Sequence, residues 1–227
     1  MEYNKKEIKV LNLYAGIGGN RKLWGDNLKI TAVEMNEKIA QVYADFWPKD
    51  ELIIGDAHQY LLDHYHEYDV IWSSPPCPSH SITNSFLNAQ GIIRYPDMSL
   101  YQEIIFLKHF FKGKWVVENV KAYYDPLIKP QVAGRHWFWA NFKIPPGLKS
   151  HSIGRMAMIS AGMRGEDRNS EMDKFGFDLS GHRGINREKV LRNCVTPEIG
   201  LKILEAAINS HVESNLPQLG LFNQIKP

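Results

Sequence analysis

Cys77 closes the segment Ser73-Ser74-Pro75-Pro76-Cys77, directly after the apolar run Asp69-Val70-Ile71-Trp72. A lone cysteine is more often a small buried hydrophobe, but this one ends a strand instead of lying on an apolar face. Two prolines stiffen the approach, and the polar, glycine-containing stretch at residues 78–97 suits a loop that closes over a substrate. A nucleophilic thiol is the chemistry implied. A second run, Lys114-Trp115-Val116-Val117, leads into Glu118-Asn119-Val120. Its carboxyl takes the equivalent place on a neighbouring parallel strand, so thiol and acid converge on one ligand. At a third place, Tyr14-Ala15-Gly16-Ile17-Gly18-Gly19 omits side chains where backbone must approach a ligand. Glu34 ends the next strand like an acid bonding ribose hydroxyls, and Asp56, ending a third, could accept from an adenine amino group. Either acid alone would read as a helix cap or a solvated side chain; placed together they describe a nucleoside pocket.

These residues need a scaffold of strand ends. Residues 8–14, 28–33, 52–54, 69–72 and 114–117 read as strands. Helices are expected at 37–46, closing before Pro48, and at 98–111. A further helix is expected directly after the glycine turn, its N-terminus favouring a carboxylate or other anion. Alternating strands and helices imply a parallel sheet, which binds ligands at the carboxyl ends of its strands. Trp137-Phe138-Trp139 reads as strand core. Beyond Phe142, Ile144-Pro145-Pro146-Gly147 breaks the pattern, and the glycine-bearing stretch at 149–192 reads as a loop-rich insertion. Order resumes at Thr196-Pro197-Glu198, with Thr196 as N-cap and Pro197 as first residue of a helix to about residue 212.

The chain of 227 residues, 44% hydrophobic and 23% charged, can bury one substantial core. No apolar run approaches the roughly 18–20 residues that cross a bilayer, and the polar start Met1-Glu2-Tyr3-Asn4 lacks the pattern of a secretory leader, so a cytoplasmic protein without membrane contact is expected. Cys77 and Cys194 are too few for a disulfide framework, and neither has zinc-site spacing, so no metal is expected. A net charge of +2 permits a nucleic-acid partner without arguing for one.

In order, Leu13-Tyr14-Ala15-Gly16-Ile17-Gly18-Gly19, Pro76-Cys77 and Glu118-Asn119-Val120 resemble the signature motifs of the cytosine-5 DNA methyltransferases, here a short member of phage or bacterial type. Glu34 and Gly55-Asp56 are similar to the family's intermediate cofactor motifs. Arg192-Asn193-Cys194-Val195 resembles its last motif, with Arg192 at a usual glycine. The resemblance implies a Rossmann-like S-adenosylmethionine-dependent methyltransferase sheet in an α/β fold, with a small loop-rich target-recognition insertion. It implies S-adenosylmethionine bound by Tyr14, Ala15, Gly16, Ile17, Gly18, Gly19, Glu34, Asp56, Pro76 and Asn193, with S-adenosylhomocysteine as product. Cys77 would attack carbon 6 of a flipped cytosine, and Glu118 would hold nitrogen 3 and the amino group. Gly134-Arg135-His136-Trp137-Phe138-Trp139 takes the place of the family's arginine motif, leaving Arg135 or His136 to serve the substrate. After Cys77, Pro78-Ser79-His80-Ser81 replaces the common Gln-Pro-Phe-Ser, so a different lid chemistry is expected.

The expected organisation is a catalytic domain at 1–142, a recognition insertion at 143–185, a returning segment at 186–212 and a tail at 213–227. Ser81, His136, Arg155, Arg164, Arg168 and Arg183 are the candidate contacts to double-stranded DNA. In the tail, Gln218, Leu219, Leu221 and Phe222 resemble the peptide by which bacterial replication proteins bind the sliding clamp. A monomer is expected, with a role in restriction-modification. The rival enzyme reading is methylation of a tRNA cytosine; the rival of another class is an inactive DNA-binding module.

Overall fold

The computed structural model describes residues 7–150 and 175–215. Seven strands form one sheet in the order β3-β2-β1-β4-β5-β7-β6. The strands are β1 (Ile8–Leu13), β2 (Leu28–Glu34), β3 (Glu51–Ile54), β4 (Val70–Ser73), β5 (Lys114–Val120), β6 (Gln131–Ala133) and β7 (His136–Ala140). The first five in the sheet run parallel; β7 pairs antiparallel with β5, and β6 antiparallel with β7. Strands covered on both faces must be apolar throughout, and Val10, Leu11, Leu13, Val70, Ile71, Trp72, Val116 and Val117 are all buried.

Helices α1 (Glu37–Phe46), α2 (Ala57–His64) and α4 (Ser99–Phe110) accompany the parallel strands, and α3 (Asn84–Ala89) is a short helix inside the loop after Cys77. Leu100, Ile104 and Leu107 of α4 pack with Leu11, Ile71 and Val117 on one face of the sheet. On the other, Ile199, Ile203 and Leu204 of the last helix α6 (Pro197–Asn215) meet Val10, Trp72, Val116 and Phe138. Thr196 O accepts from Gly200 N in the first turn of α6, whose first residue is Pro197. No described helix is long and apolar enough to cross a membrane.

Two differences from the expected layout concern the site. The helix expected after the glycine turn does not form: residues 15–27 run as successive turns. Long-range partners take its polar groups instead. Buried Asn12 and Asn20 pair through their amides at 2.8 Å, and Arg21 grips Asp50 with two bonds of 2.9 and 3.1 Å while reaching Trp24 O at 2.7 Å. There is thus no helix N-terminus at this turn to favour an anion. Within the stretch read as irregular, α5 (Arg187–Arg192) forms, with Asn186 as its N-cap accepting from Lys189 N.

Candidate active site

Parallel register fixes the first pair of residues. Ser73 of β4 lies opposite Val117 of β5, so Ser74, just past the end of β4, and Glu118, still paired in β5 with Phe138 of β7, lie side by side. The loop to Cys77 is then tied to β5 by buried Asn119, whose Nδ2 donates to Pro75 O at 3.0 Å. Asn119 was legible only as part of a motif; its bond to the proline loop needs the fold to be seen. Beyond Cys77 the chain turns at once, with Cys77 O accepting from His80 N and Ser81 N.

Glu118 is 6% exposed. Burial raises its carboxyl to about 7, opposed by a bond to Ser74 and by the charge of Arg135. Burial, followed by the Glu118 charge, raises the Cys77 thiol above its ordinary value, and Arg135 and Lys189 pull it back. Cys77 is half-buried. His136 Nε2 lies 3.6 Å from Glu118 Oε1, and burial lowers the imidazole to about 3, which keeps it neutral. Its Nδ1 is buried without a partner in the structure. His136, expected among residues facing DNA, is therefore enclosed beside Glu118.

Arg135 does more than neutralise. Its guanidinium donates to Arg192 O at 2.7 Å and Cys194 O at 3.3 Å, joining the turn before β7 to the motif after α5. Asn193, expected near the cofactor, is exposed at the C-cap of α5. Its neighbour Cys194 packs on the glycine turn, so close that a Cβ on Gly19 would lie 2.6 Å from Cys194 Cβ. Enclosure raises the Cys194 thiol to about 12, which leaves it inert beside Cys77.

The loop after Cys77 is anchored at several points. Buried His80 bonds Tyr124 Oη through Nδ1 at 2.6 Å, Asn84 Nδ2 donates to Pro78 O, and Asp97 N donates to Ser79 Oγ. Burial lowers the His80 imidazole. His80 thus fastens the loop to the segment after β5 and Pro78 O is tied within the loop to Asn84, while Ser81 stays half-exposed, bonded to Thr83.

The second half of the site gathers at the ends of β1, β2 and β3. Gly16 has φ 57° with open space where a Cβ would stand, and Gly55 is equally open. Glu34 Oε2 accepts from Gly16 N at 3.0 Å and Oε1 from Asn36 N at 2.9 Å. Asp56 Oδ1 caps α2, accepting from His58 N and Gln59 N. Both acids therefore have local structural partners as well as shared placement. Two exposed apolar side chains at these strand ends, Met35 and Ile54, were not foreseen; exposure of an apolar group following an acid is their only sequence-visible trace. Arg183 is exposed, whereas Arg155, Arg164, Arg168 and the tail residues Gln218, Leu219, Leu221 and Phe222 lie outside the described residues.

The family model for C-5 cytosine-specific DNA methylase matches residues 8–127, the span that carries the glycine turn, Cys77 and Glu118. The chain belongs to this family. No curated protein matches it. Among solved structures, a methyltransferase of Entamoeba histolytica is 14% identical over 75% of this chain and 66% of its own, with a TM-score of 0.43. A Pyrococcus horikoshii protein is 23% identical over 53% of this chain and 52% of its own, at 0.36. An S-adenosylmethionine-dependent methyltransferase of Agrobacterium tumefaciens is 14% identical over 52% and 40%, at 0.36. The methylase chain spans no more than about two thirds of the length of these structures, and its fold assignment rests on its own strand order.

Proposed function

We propose that this methylase-family chain transfers a methyl group from S-adenosylmethionine to carbon 5 of a flipped cytosine in a specific duplex DNA sequence, through a covalent bond from Cys77 to carbon 6. The observation that carries the reading is the junction of Cys77 and Glu118 at adjacent strand ends, fastened by the Asn119 to Pro75 bond.

The residues fit the cofactor. Gly16 and Gly55 leave open space between strand ends, Glu34 and Asp56 supply acceptors, and Met35 and Ile54 supply apolar surface for a purine. When bound, S-adenosylmethionine supplies an electrophilic methyl on sulfonium sulfur. The protein's task is to make carbon 5 nucleophilic, which addition of the Cys77 thiolate to carbon 6 achieves. A carboxyl held at about 7 is substantially protonated at neutral pH, so Glu118 donates to nitrogen 3 and its other oxygen accepts from the amino group. Drawing electrons toward nitrogen 3 makes carbon 6 electrophilic toward the thiolate. Thymine, which carries a proton at nitrogen 3 and no amino group, presents the wrong pattern. The site lies at a closed strand end, so the base must leave the stack, at a cost of a few kcal/mol. Release requires loss of the carbon 5 proton and expulsion of the Cys77 thiolate.

The test is to incubate the protein and Cys77→Ala with S-adenosylmethionine and duplex DNA containing 5-fluorocytosine. The fluorine cannot leave as a proton, so the protein should remain attached through denaturation, and only when Cys77 is present. An adduct on fluorinated tRNA but on no DNA would move the assignment to RNA; none on either would leave a DNA-binding module without chemistry.

A further inference from the structure

Glu103 of α4 is completely enclosed, yet it takes no part in the chemistry above. Its Oε1 accepts from the Tyr14 hydroxyl at 2.5 Å and lies 3.1 Å from His58 Nδ1; Oε2 accepts from Ser73 Oγ at 2.6 Å. These partners come from three strand ends: Tyr14 directly follows β1, Ser73 ends β4, and His58 stands in the first turn of α2, after β3. Leu100, Ile104 and Leu107 show that α4 packs on the sheet with apolar side chains, so packing alone does not call for a carboxylate. A buried charge is costly to the fold unless its lone pairs are met, and here they are met by groups surrounding the glycine turn.

Tyr14 has a second peculiarity. Its φ of 54° makes it the only non-glycine in the left-handed region among the described residues, a conformation costly for an aromatic residue. The backbone reversal starts at this residue and recurs at Gly16, where φ is 57° and no atom crowds the position of a Cβ. The short bond from the Tyr14 hydroxyl to Glu103 ties this residue to α4.

We infer that Glu103 is a positioning residue for the cofactor: through the Tyr14 hydroxyl it holds the reversed backbone that opens the glycine turn, and through Ser73 it registers that turn against the strand leading to Cys77. The inference rests on the reading of residues 14–19 as the cofactor cradle.

Titration calorimetry with S-adenosylhomocysteine on the full chain tests it without DNA or turnover. Tyr14→Phe removes only the hydroxyl and should weaken binding about tenfold, the worth of a hydrogen bond to a charged group. Glu103→Gln keeps a carbonyl oxygen able to accept from Tyr14 and should lose less. The double variant should lose less than the sum of the two single losses, because the Tyr14 bond is common to both changes and only the effect of Glu103→Gln on the Ser73 and His58 bonds is left to add. In steady-state assays, Tyr14→Phe should raise the cofactor KM by a similar factor with kcat little changed. Binding of Tyr14→Phe within twofold of wild type, or losses that add in the double variant, would overturn the inference. A wild-type protein that fails to bind S-adenosylhomocysteine would instead overturn the proposed function, and this inference with it.

Discussion

The carboxyl of Glu118 is raised from 4.5 to about 7 by burial, and that shift has a consequence for stability as well as catalysis. A carboxyl raised on folding binds its proton more tightly folded than unfolded. Its stabilising contribution is therefore complete below about pH 4.5 and is lost as pH climbs through about 7. Glu118→Gln keeps the shape and cannot ionise. Without ligand, its stability to thermal unfolding should match wild type near pH 5 and exceed it at pH 8 by on the order of 1–3 kcal/mol. Equal melting at both values would show that the carboxyl is not held in its neutral form. The same substitution should slow adduct formation roughly a hundredfold or more, since a proton donor at nitrogen 3 is replaced by a weaker one. In the wild type, kcat/KM should fall on the alkaline side as Glu118 ionises and on the acid side as the Cys77 thiolate is lost, giving a bell. With the thiol raised above its ordinary value and Glu118 at about 7, the two limbs are crossed, so the active protonation state is a minority one.

At the scale of elements, the glycine turn is held in place by the helix that ends the described chain. A Cβ on Gly200 of α6 would lie 2.3 Å from Asn20 O and 2.7 Å from Asn20 Cα. Helix propensity favours Gly200→Ala by about 1 kcal/mol, but the obstacle is backbone, and Asn20 is fixed by its amide pair with Asn12. Overpacking of about 1–3 kcal/mol should win. Urea unfolding should show Gly200→Ala less stable by about 1–2 kcal/mol, and a stabilised variant would contradict the close approach. This contact also explains what was legible. The parallel strands could be read because burial on both faces forces continuous apolar runs, and the order of Cys77 and Glu118 along them follows from parallel register. The turns at 15–27 could not be read, because Asn20, Arg21 and Trp24 answer to Asn12, Asp50 and Trp72, far away in sequence or on other elements. Glu34 and Asp56 were legible as strand-end acids, whereas their bonds to Gly16 N and to the first turn of α2 need coordinates.

Across the whole molecule, the turn proposed to bind the cofactor is built from both ends of the sequence. Phe175, Phe177 and Leu179, within the stretch read as insertion, are buried in one cluster with Ile17, Val42, Val190, Leu191 and Cys194. Phe177 meets Phe46 edge-on at 4.9 Å and Trp47 at 6.3 Å, and Lys22 Nζ lies 4.1 Å over its ring while donating to Gly176 O. Trp47 in turn donates from Nε1 to Ile17 O at 3.1 Å. Residues 175–179, expected as part of the insertion at 143–185, thus lie in the core and form a wall of the glycine turn. Cys77 and Glu118 are held by contacts that do not include Phe177, through Asn119 and the β4 to β5 register. Phe177→Ala should cost about 3–5 kcal/mol in urea unfolding, the usual loss for a buried aromatic ring, and a domain of ordinary stability would survive it. S-adenosylhomocysteine should bind less tightly, while the trapped adduct on 5-fluorocytosine DNA should still form once cofactor is saturating. Affinity equal to wild type would show that residues 175–179 pack against the turn without shaping it, and loss of the adduct at saturating cofactor would show that the Phe177 wall supports Cys77 and Glu118 as well.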